Sequence, residues 1–236
     1  MEKDTFFCKD TIFFVILQQK TLKMSKKILI VVDVQNDFLE GGALACEGGK
    51  AIVAGINSIL DSYDHVIATQ DWHPENHMSF AKSDQDFFKT VSVENEQGAC
   101  EQTLWPPHCV QNTFGAEFPK DLDAHKFNTI VRKGSNPLID SYSGLFDNAM
   151  TKDELVYRNP TGLSGILKEL DYDCCCRVDI CGIATDVCVK FTVNDILDLK
   201  LSSKVRVIEN LCVGVTKAGH DSTIAAFKQD ERVGVL

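Results

Sequence analysis

The 236-residue chain has no C-x-x-C pair, no cluster of Lys or Arg, no internal repeat and no low-complexity tract. Each absence removes a class of protein. Without C-x-x-C, thioredoxin-type redox chemistry and zinc ribbons lack their ligand spacing. Without a basic cluster, and with a formal net charge of −10, neither nucleic acid nor an anionic membrane is expected as the main partner. Residues 12–17 form the one apolar stretch ahead of the first clear strand. That stretch is flanked by acids as well as lysines and is far too short to span a bilayer, so neither a membrane segment nor a cleaved leader is expected.

What is present points to a soluble α/β enzyme. Hydrophobic residues make up 44% of the chain, enough for one sizeable core, and α/β folds of this length are routinely one domain. Ten cysteines could suggest a disulfide framework, but Cys174, Cys175 and Cys176 are consecutive and the core is well supplied. Free thiols in a reducing, cytoplasmic setting are the expectation. Residues 1–25 read as an extension of no evident role, and residues 26–236 as the domain itself.

Residues 27–34 are a nearly continuous aliphatic run that ends in polar residues, as in a strand buried on both faces. Residues 50–63 follow with Ile52, Val53, Ile56, Ile59 and Leu60 at helical spacing. Further strands are expected at 65–69, 129–132, 174–182 and 204–208, and helices at 162–170, 186–199 and 220–229. This alternation predicts a three-layer α/β/α fold with a mostly parallel sheet and right-handed crossovers. Ligands then bind at the carboxyl ends of the strands. The exception is 75–126, a long insertion of weak periodicity, rich in aromatics and proline, read as an ordered lid.

Four groups fall at the strand ends: Asp33, Asp71, Lys133 and Cys188. Taken singly, Asp33 could be a helix-capping carboxylate, Lys133 a solvated surface lysine and Cys188 a small buried apolar residue. Together they supply a carboxylate, a cation and a thiol to one place, which is the equipment for acyl transfer. Cys188 sits where a strand gives way to a helix, and backbone N–H groups and the helix dipole there favour the thiolate. Asp71 and His73, two apart after a strand, can face one ion, and His108 from the insertion would complete a three-ligand set open to water or substrate. His77 reads either as a further group at that ion or as a surface residue. His65, His125 and His220 read as structural or exposed.

Five segments in series carry a family resemblance: Asp33-Val34-Gln35-Asn36-Asp37-Phe38, Asp71-Trp72-His73-Pro74, Trp105-Pro106-Pro107-His108-Cys109, Lys133-Gly134 and Gly182-Ile183-Ala184-Thr185-Asp186-Val187-Cys188-Val189. Their order and spacing resemble the nicotinamidase group of the isochorismatase-like cysteine hydrolases, from about Lys26 to near the C-terminus. The resemblance implies a catalytic triad of Asp33, Lys133 and Cys188. It also implies one divalent metal ion, zinc first and iron or manganese as alternatives, on Asp71, His73 and His108. A cis Ile183–Ala184 peptide, an oxyanion hole from the N–H groups of Ala184 and Cys188, and a substrate pocket including Phe38, Trp105 and Ala184 are implied in the same way. Val187 departs from the aromatic residue often found before the nucleophile in relatives.

The reaction implied is hydrolysis of nicotinamide to nicotinate and ammonia in NAD salvage, with pyrazinamide as a further substrate. The small molecule is the expected partner, and a homo-oligomer is left open. Three rival readings exist. An isochorismatase proper lacks the cysteine, a metal-free amidase has no use for the Asp71, His73 and His108 set, and a silent scaffold or thiol redox sensor would be expected to have lost a triad or metal residue.

Overall fold

The computed structural model describes residues 26–170, 176–202 and 204–236. The 1–25 extension, with its apolar stretch, and Cys174 and Cys175 lie outside the described residues. In chain order the strands are β1 (Lys27–Val32), β2 (His65–Asp71), β3 (Thr90–Asn95), β4 (Gly98–Thr103), β5 (Thr129–Lys133), β6 (Met150–Lys152), β7 (Leu155–Tyr157), β8 (Arg177–Ile183), β9 (Lys204–Val213) and β10 (Val233–Val235). The main helices are α1 (Gly49–Ile59), α2 (Leu163–Leu170), α3 (Lys190–Asp198) and α4 (Lys217–Gln229).

Six strands form one sheet in the order β10-β9-β8-β1-β2-β5, every neighbouring pair parallel. Helices cover both faces, giving the expected three-layer architecture. Ile28 to Val32 of β1 are fully buried, because a central strand of such a sheet meets helices above and below. In α1, Ile52, Val53 and Ile56 turn one face to that core. Register then sets the site. Asp71 at the end of β2 is the cross-strand partner of Lys133 at the end of β5, and Val32 at the end of β1 is the partner of Gly182 in β8. Gly182 has φ +123°, and a Cβ there would collide with the Val32 carbonyl, so glycine lets β8 close on β1 just before the turn that carries Cys188.

Element boundaries differ from the sequence reading in physically interpretable ways. The 220–229 helix begins earlier, at Lys217, because the Thr216 hydroxyl accepts the Gly219 N–H at 3.0 Å and caps it. The 186–199 helix is divided: Thr185–Val189 form a wider π-type turn, and α3 proper starts at Lys190. The larger correction concerns 75–126. That insertion holds β3 and β4, a hairpin that joins β6 and β7 in a second, antiparallel sheet of order β3-β4-β6-β7. Its strands are short and mostly half exposed, so their apolar alternation is too weak to read from the sequence.

Candidate active site

Asp33, Asp71, Lys133 and Cys188 meet at the carboxyl end of the parallel sheet. The Lys133 Nζ lies 3.0 Å from Asp33 Oδ2, 2.5 Å from Asp71 Oδ1, 2.8 Å from the Ser141 carbonyl oxygen and 3.5 Å from the Cys188 Sγ. A carboxylate oxygen from each aspartate and the Cys188 sulfur all lie within 4.8 Å of one another. The surface reading of Lys133 fails, since the residue is 1% exposed. The capping reading of Asp33 fails as well. Its Oδ1 accepts the Thr69 hydroxyl at 2.6 Å, and its Oδ2 is turned to Lys133.

Burial sets the protonation states. Asp33 is raised above the usual carboxyl range, first by burial and also by Asp71, against the pull of Lys133. Burial would also raise Asp71, but Lys133 and His73 outweigh it and hold that carboxyl well below its usual range. For Lys133, burial disfavours the charge, yet Asp33 and Asp71 reverse the balance and keep it an ammonium. Burial pushes the Cys188 thiol well above its ordinary value; Lys133 opposes the shift, and Asp33 and Asp71 add to it. This differs from the expectation of a thiolate favoured by a helix start. Cys188 sits in the π turn ahead of α3, enclosed beside two carboxylates, and that environment outweighs the dipole. The thiol therefore starts protonated and needs a base. Asp33, buried, paired through Oδ2 with Lys133 and in hydrogen-bond contact with the thiol, is the carboxyl group placed to accept that proton.

Asp71, His73 and His108 also converge as expected. Asp71 Oδ2 lies 3.6 Å from His73 Nε2 and 3.8 Å from His108 Nε2, too far for hydrogen bonds. Ligand atoms about 2.1 Å from a tetrahedral ion stand about 3.4 Å apart, so these separations suit an ion held between them. Each imidazole is oriented from behind: His73 Nδ1 contacts the Gly134 carbonyl and His108 Nδ1 the Pro106 carbonyl, both at 2.8 Å, which turns the Nε2 lone pairs inward. Gly134 has φ +64°, and a Cβ there would strike the His73 ring. Asp37 fixes the His108 loop by accepting the Cys109 N–H at 2.7 Å. Two imidazoles and an ionised carboxylate are a fitting donor set for a divalent metal.

His77 is not a surface residue. It is 3% exposed, stacks on His73 at 4.2 Å, and both its nitrogens are engaged, Nδ1 with the Ser79 hydroxyl and Nε2 with the Ile139 carbonyl. Burial holds its pKa down to about 4, so it supports the His73 ring as a neutral imidazole. His65 opens β2 against Thr129, and His220 in α4 contacts the Thr185 hydroxyl in the turn that carries Cys188.

A pocket opens over these groups. Phe38, Trp105 and Tyr142 line it with aromatic rings and Leu44, Val187 and Val215 with aliphatic groups, and Ala184, Cys188, Asp71, His73 and His108 complete the lining. The Ile183–Ala184 peptide is cis, as the resemblance implied. Sequence reading missed Ser141, whose carbonyl anchors Lys133, and Tyr142. It also missed Gln35, which exchanges two 2.8 Å hydrogen bonds with the Asp71 main chain. The signal available for the first two was the polar run 140–143 that follows β5.

A three-layer parallel fold that brings a thiol, a carboxylate and an ammonium to one pocket defines the class of cysteine hydrolases. Residues 27–234 match the model described as "Isochorismatase domain", and the chain belongs to the isochorismatase family. It is 41% identical over 206 residues to a nicotinamidase of Escherichia coli, covering 86% of this chain and 90% of the relative. Among solved structures it resembles an Acinetobacter baumanii nicotinamidase/pyrazinamidase with TM-score 0.74 and 38% identity, over 91% of this chain and 97% of that one. A pyrazinamidase of Pyrococcus horikoshii in complex with zinc is similar with TM-score 0.64 and 30% identity, over 89% and 98% of the two chains. The chain is thus a hydrolase of carboxamide bonds. Among the described residues, no helix is long and apolar enough to cross a membrane. Cys46, Cys100, Cys109, Cys181, Cys188 and Cys212 are free thiols.

Proposed function

We propose that this chain hydrolyses nicotinamide to nicotinate and ammonia through a thioester on Cys188, in a cytoplasmic NAD salvage route, and that it also accepts pyrazinamide. The observation that carries the reading is the contact of one ammonium with two carboxylates and a thiol, beside an inward-facing Asp-His-His set.

Asp33 takes the Cys188 proton while Lys133, 3.5 Å from the sulfur, steadies the thiolate that forms. The sulfur attacks the carboxamide carbon, and the N–H groups of Ala184 and Cys188 receive the developing oxyanion, each contributing about 3 kcal/mol. The C–N bond breaks as Asp33 returns its proton to the departing nitrogen, which leaves as ammonia. Water then attacks the thioester, giving a proton to Asp33, which passes it to the departing Cys188 sulfur, so the acid leaves and both the thiol and the Asp33 carboxylate are restored. Asp71, His73 and His108 would hold a divalent ion, which would supply a Lewis acid toward a pyridine or pyrazine nitrogen; zinc suits this donor set, with iron and manganese as alternatives. Phe38 and Trp105 flank the ring and hold the carboxamide in line with the sulfur.

The test is ammonia release from nicotinamide, pyrazinamide and benzamide by zinc-loaded enzyme, with Cys188→Ala alongside. Nicotinamide and pyrazinamide are expected to turn over well and benzamide, which lacks the ring nitrogen, poorly. Cys188→Ala should bind nicotinamide and release no ammonia. No ammonia from the wild-type enzyme, or full turnover by Cys188→Ala, refutes the proposal.

A further inference from the structure

Phe88 occupies a position that local physics disfavours twice. Asp86, Phe87, Phe88 and Lys89 form a type II turn: Phe87 has φ −54° and ψ 133°, Phe88 has φ +65°, and the Lys89 N–H reaches the Asp86 carbonyl at 3.2 Å. The third residue of such a turn must take a positive φ, which glycine or asparagine accepts readily and a bulky side chain does not. The ring is also 55% exposed, so burial returns little for the strain. Its one close aromatic neighbour beyond Phe87 is the pocket wall: Phe88 meets Trp105 edge-on, with centroids 5.9 Å apart and planes at 88°.

Trp105 is held in place by rings on two sides. Tyr142, also in the pocket wall, meets it at 6.3 Å and 86°. The Trp105 main chain is fixed by hydrogen bonds to Ser79 and Ala81, and its side chain also bonds to that of Tyr142, so the ring contacts complete the support of a buried indole. The Phe88 N–H donates to the Leu104 carbonyl at 2.7 Å, and the Leu104 N–H to the Lys89 carbonyl at 2.8 Å, so the hairpin's own main chain carries the Phe88 ring to the indole. A residue that breaks the local rule next to a pocket wall marks a functional constraint.

We infer that Phe88 is a positioning residue for the substrate ring, holding the Trp105 indole at the angle that closes the aromatic wall. The inference rests on the pocket being the substrate site proposed above. It needs no contact between Phe88 and substrate, and it makes the β3–β4 insertion a determinant of affinity rather than of chemistry.

Phe88→Gly tests this cleanly because glycine suits the turn, so removing the ring does not require the hairpin to unfold. The expected result is a KM for nicotinamide raised about three- to tenfold, the range an edge-to-face aromatic pair accounts for, with kcat within about twofold of wild type. The melting temperature should be unchanged or higher, Phe88→Tyr should restore KM, and Trp emission should shift to the red as the indole becomes wetter. The other tryptophan, Trp72, lies under the Arg132 guanidinium and should not contribute to that shift. An unchanged KM in an active enzyme overturns the inference, as does a fall of kcat and melting temperature together. If the wild-type enzyme released no ammonia from nicotinamide, the site reading would fail separately, and an unshifted Trp emission would still refute the role given to Phe88.

Discussion

Replacing Lys133 by methionine removes one charge and keeps much of the volume, so its cost isolates the electrostatics of the site. In the native arrangement one fully enclosed ammonium faces Asp33 at 3.0 Å and Asp71 at 2.5 Å. At an effective dielectric of about 20, a unit pair at 3 Å attracts by about 5 kcal/mol. The ammonium's own desolvation offsets part of that, and removing one partner of a buried pair typically costs about 3–5 kcal/mol. Against a domain stability of about 5–15 kcal/mol, Lys133→Met should fold but with a much lower urea midpoint. The pH dependence carries a sign. Without the ammonium both folded carboxyls move upward, so the variant is most destabilised above the ordinary carboxylate range and recovers as pH falls through the raised values. Wild-type Asp71 behaves oppositely: its depressed pKa contributes stability that is lost on acidification. Urea midpoints at pH 8 and pH 5, with iodoacetamide alkylation of Cys188, form the assay. A variant as stable as wild type at pH 8, or one alkylated at the wild-type rate, would refute the charge assignment.

Chelation should chiefly weaken nicotinamide binding, and His108→Ala should do the same without altering the Lys133 contacts; titration calorimetry on Cys188→Ala enzyme with and without zinc reads this, and equal affinity in both would exclude the ion from substrate docking. Away from the site, Asp179 on β8 accepts from Arg206 at 2.7 and 2.5 Å and from the Tyr63 hydroxyl at 2.7 Å. Burial would raise this carboxyl, but Arg206 and Tyr63 hold it below its usual range, so it stabilises the fold at neutral pH and ceases to as pH falls through the lowered value. Asp179→Asn should therefore cost about 3 kcal/mol at pH 7 and flatten the acid limb of the stability curve. A variant whose stability falls as steeply in acid as wild type would show that Asp179 is not the titrating group.

The parts of this site that the sequence made legible are those tied to strand ends. Aliphatic runs such as 28–32 identify doubly buried strands, parallel topology puts ligands at their carboxyl ends, and chemically able polar residues at those ends are candidates by position. Asp33, Asp71 and Lys133 were reachable that way. The β3–β4 hairpin was not, because strands that bury little apolar surface carry almost no periodic signal. The protonation of Cys188 was not either, since a thiol's state depends on how many carboxylates share its enclosure, a property of three dimensions. Phe88 shows a third kind of opacity. Nothing in Asp-Phe-Phe-Lys announces a type II turn, and the residue most informative about the pocket wall is the one whose backbone the sequence misstates.

The geometry of Asp71 ties the Lys133–Cys188 contact to the candidate metal ligands, the two groups in which the sequence already placed it. Its Oδ1 contacts the Lys133 ammonium and its Oδ2 faces His73 and His108, so one carboxylate belongs to both the ion's ligands and the nucleophile's surroundings. The link does not depend on a loop, because Asp71 and Lys133 are direct partners in the last parallel register between β2 and β5. The ammonium keeps Asp71 ionised, and an ionised carboxylate is what a divalent ion requires of it. One carboxylate at the carboxyl end of the sheet thus joins the candidate ion ligands to the Lys133–Cys188 contact, and the parallel register brings these distant stretches of chain to one place.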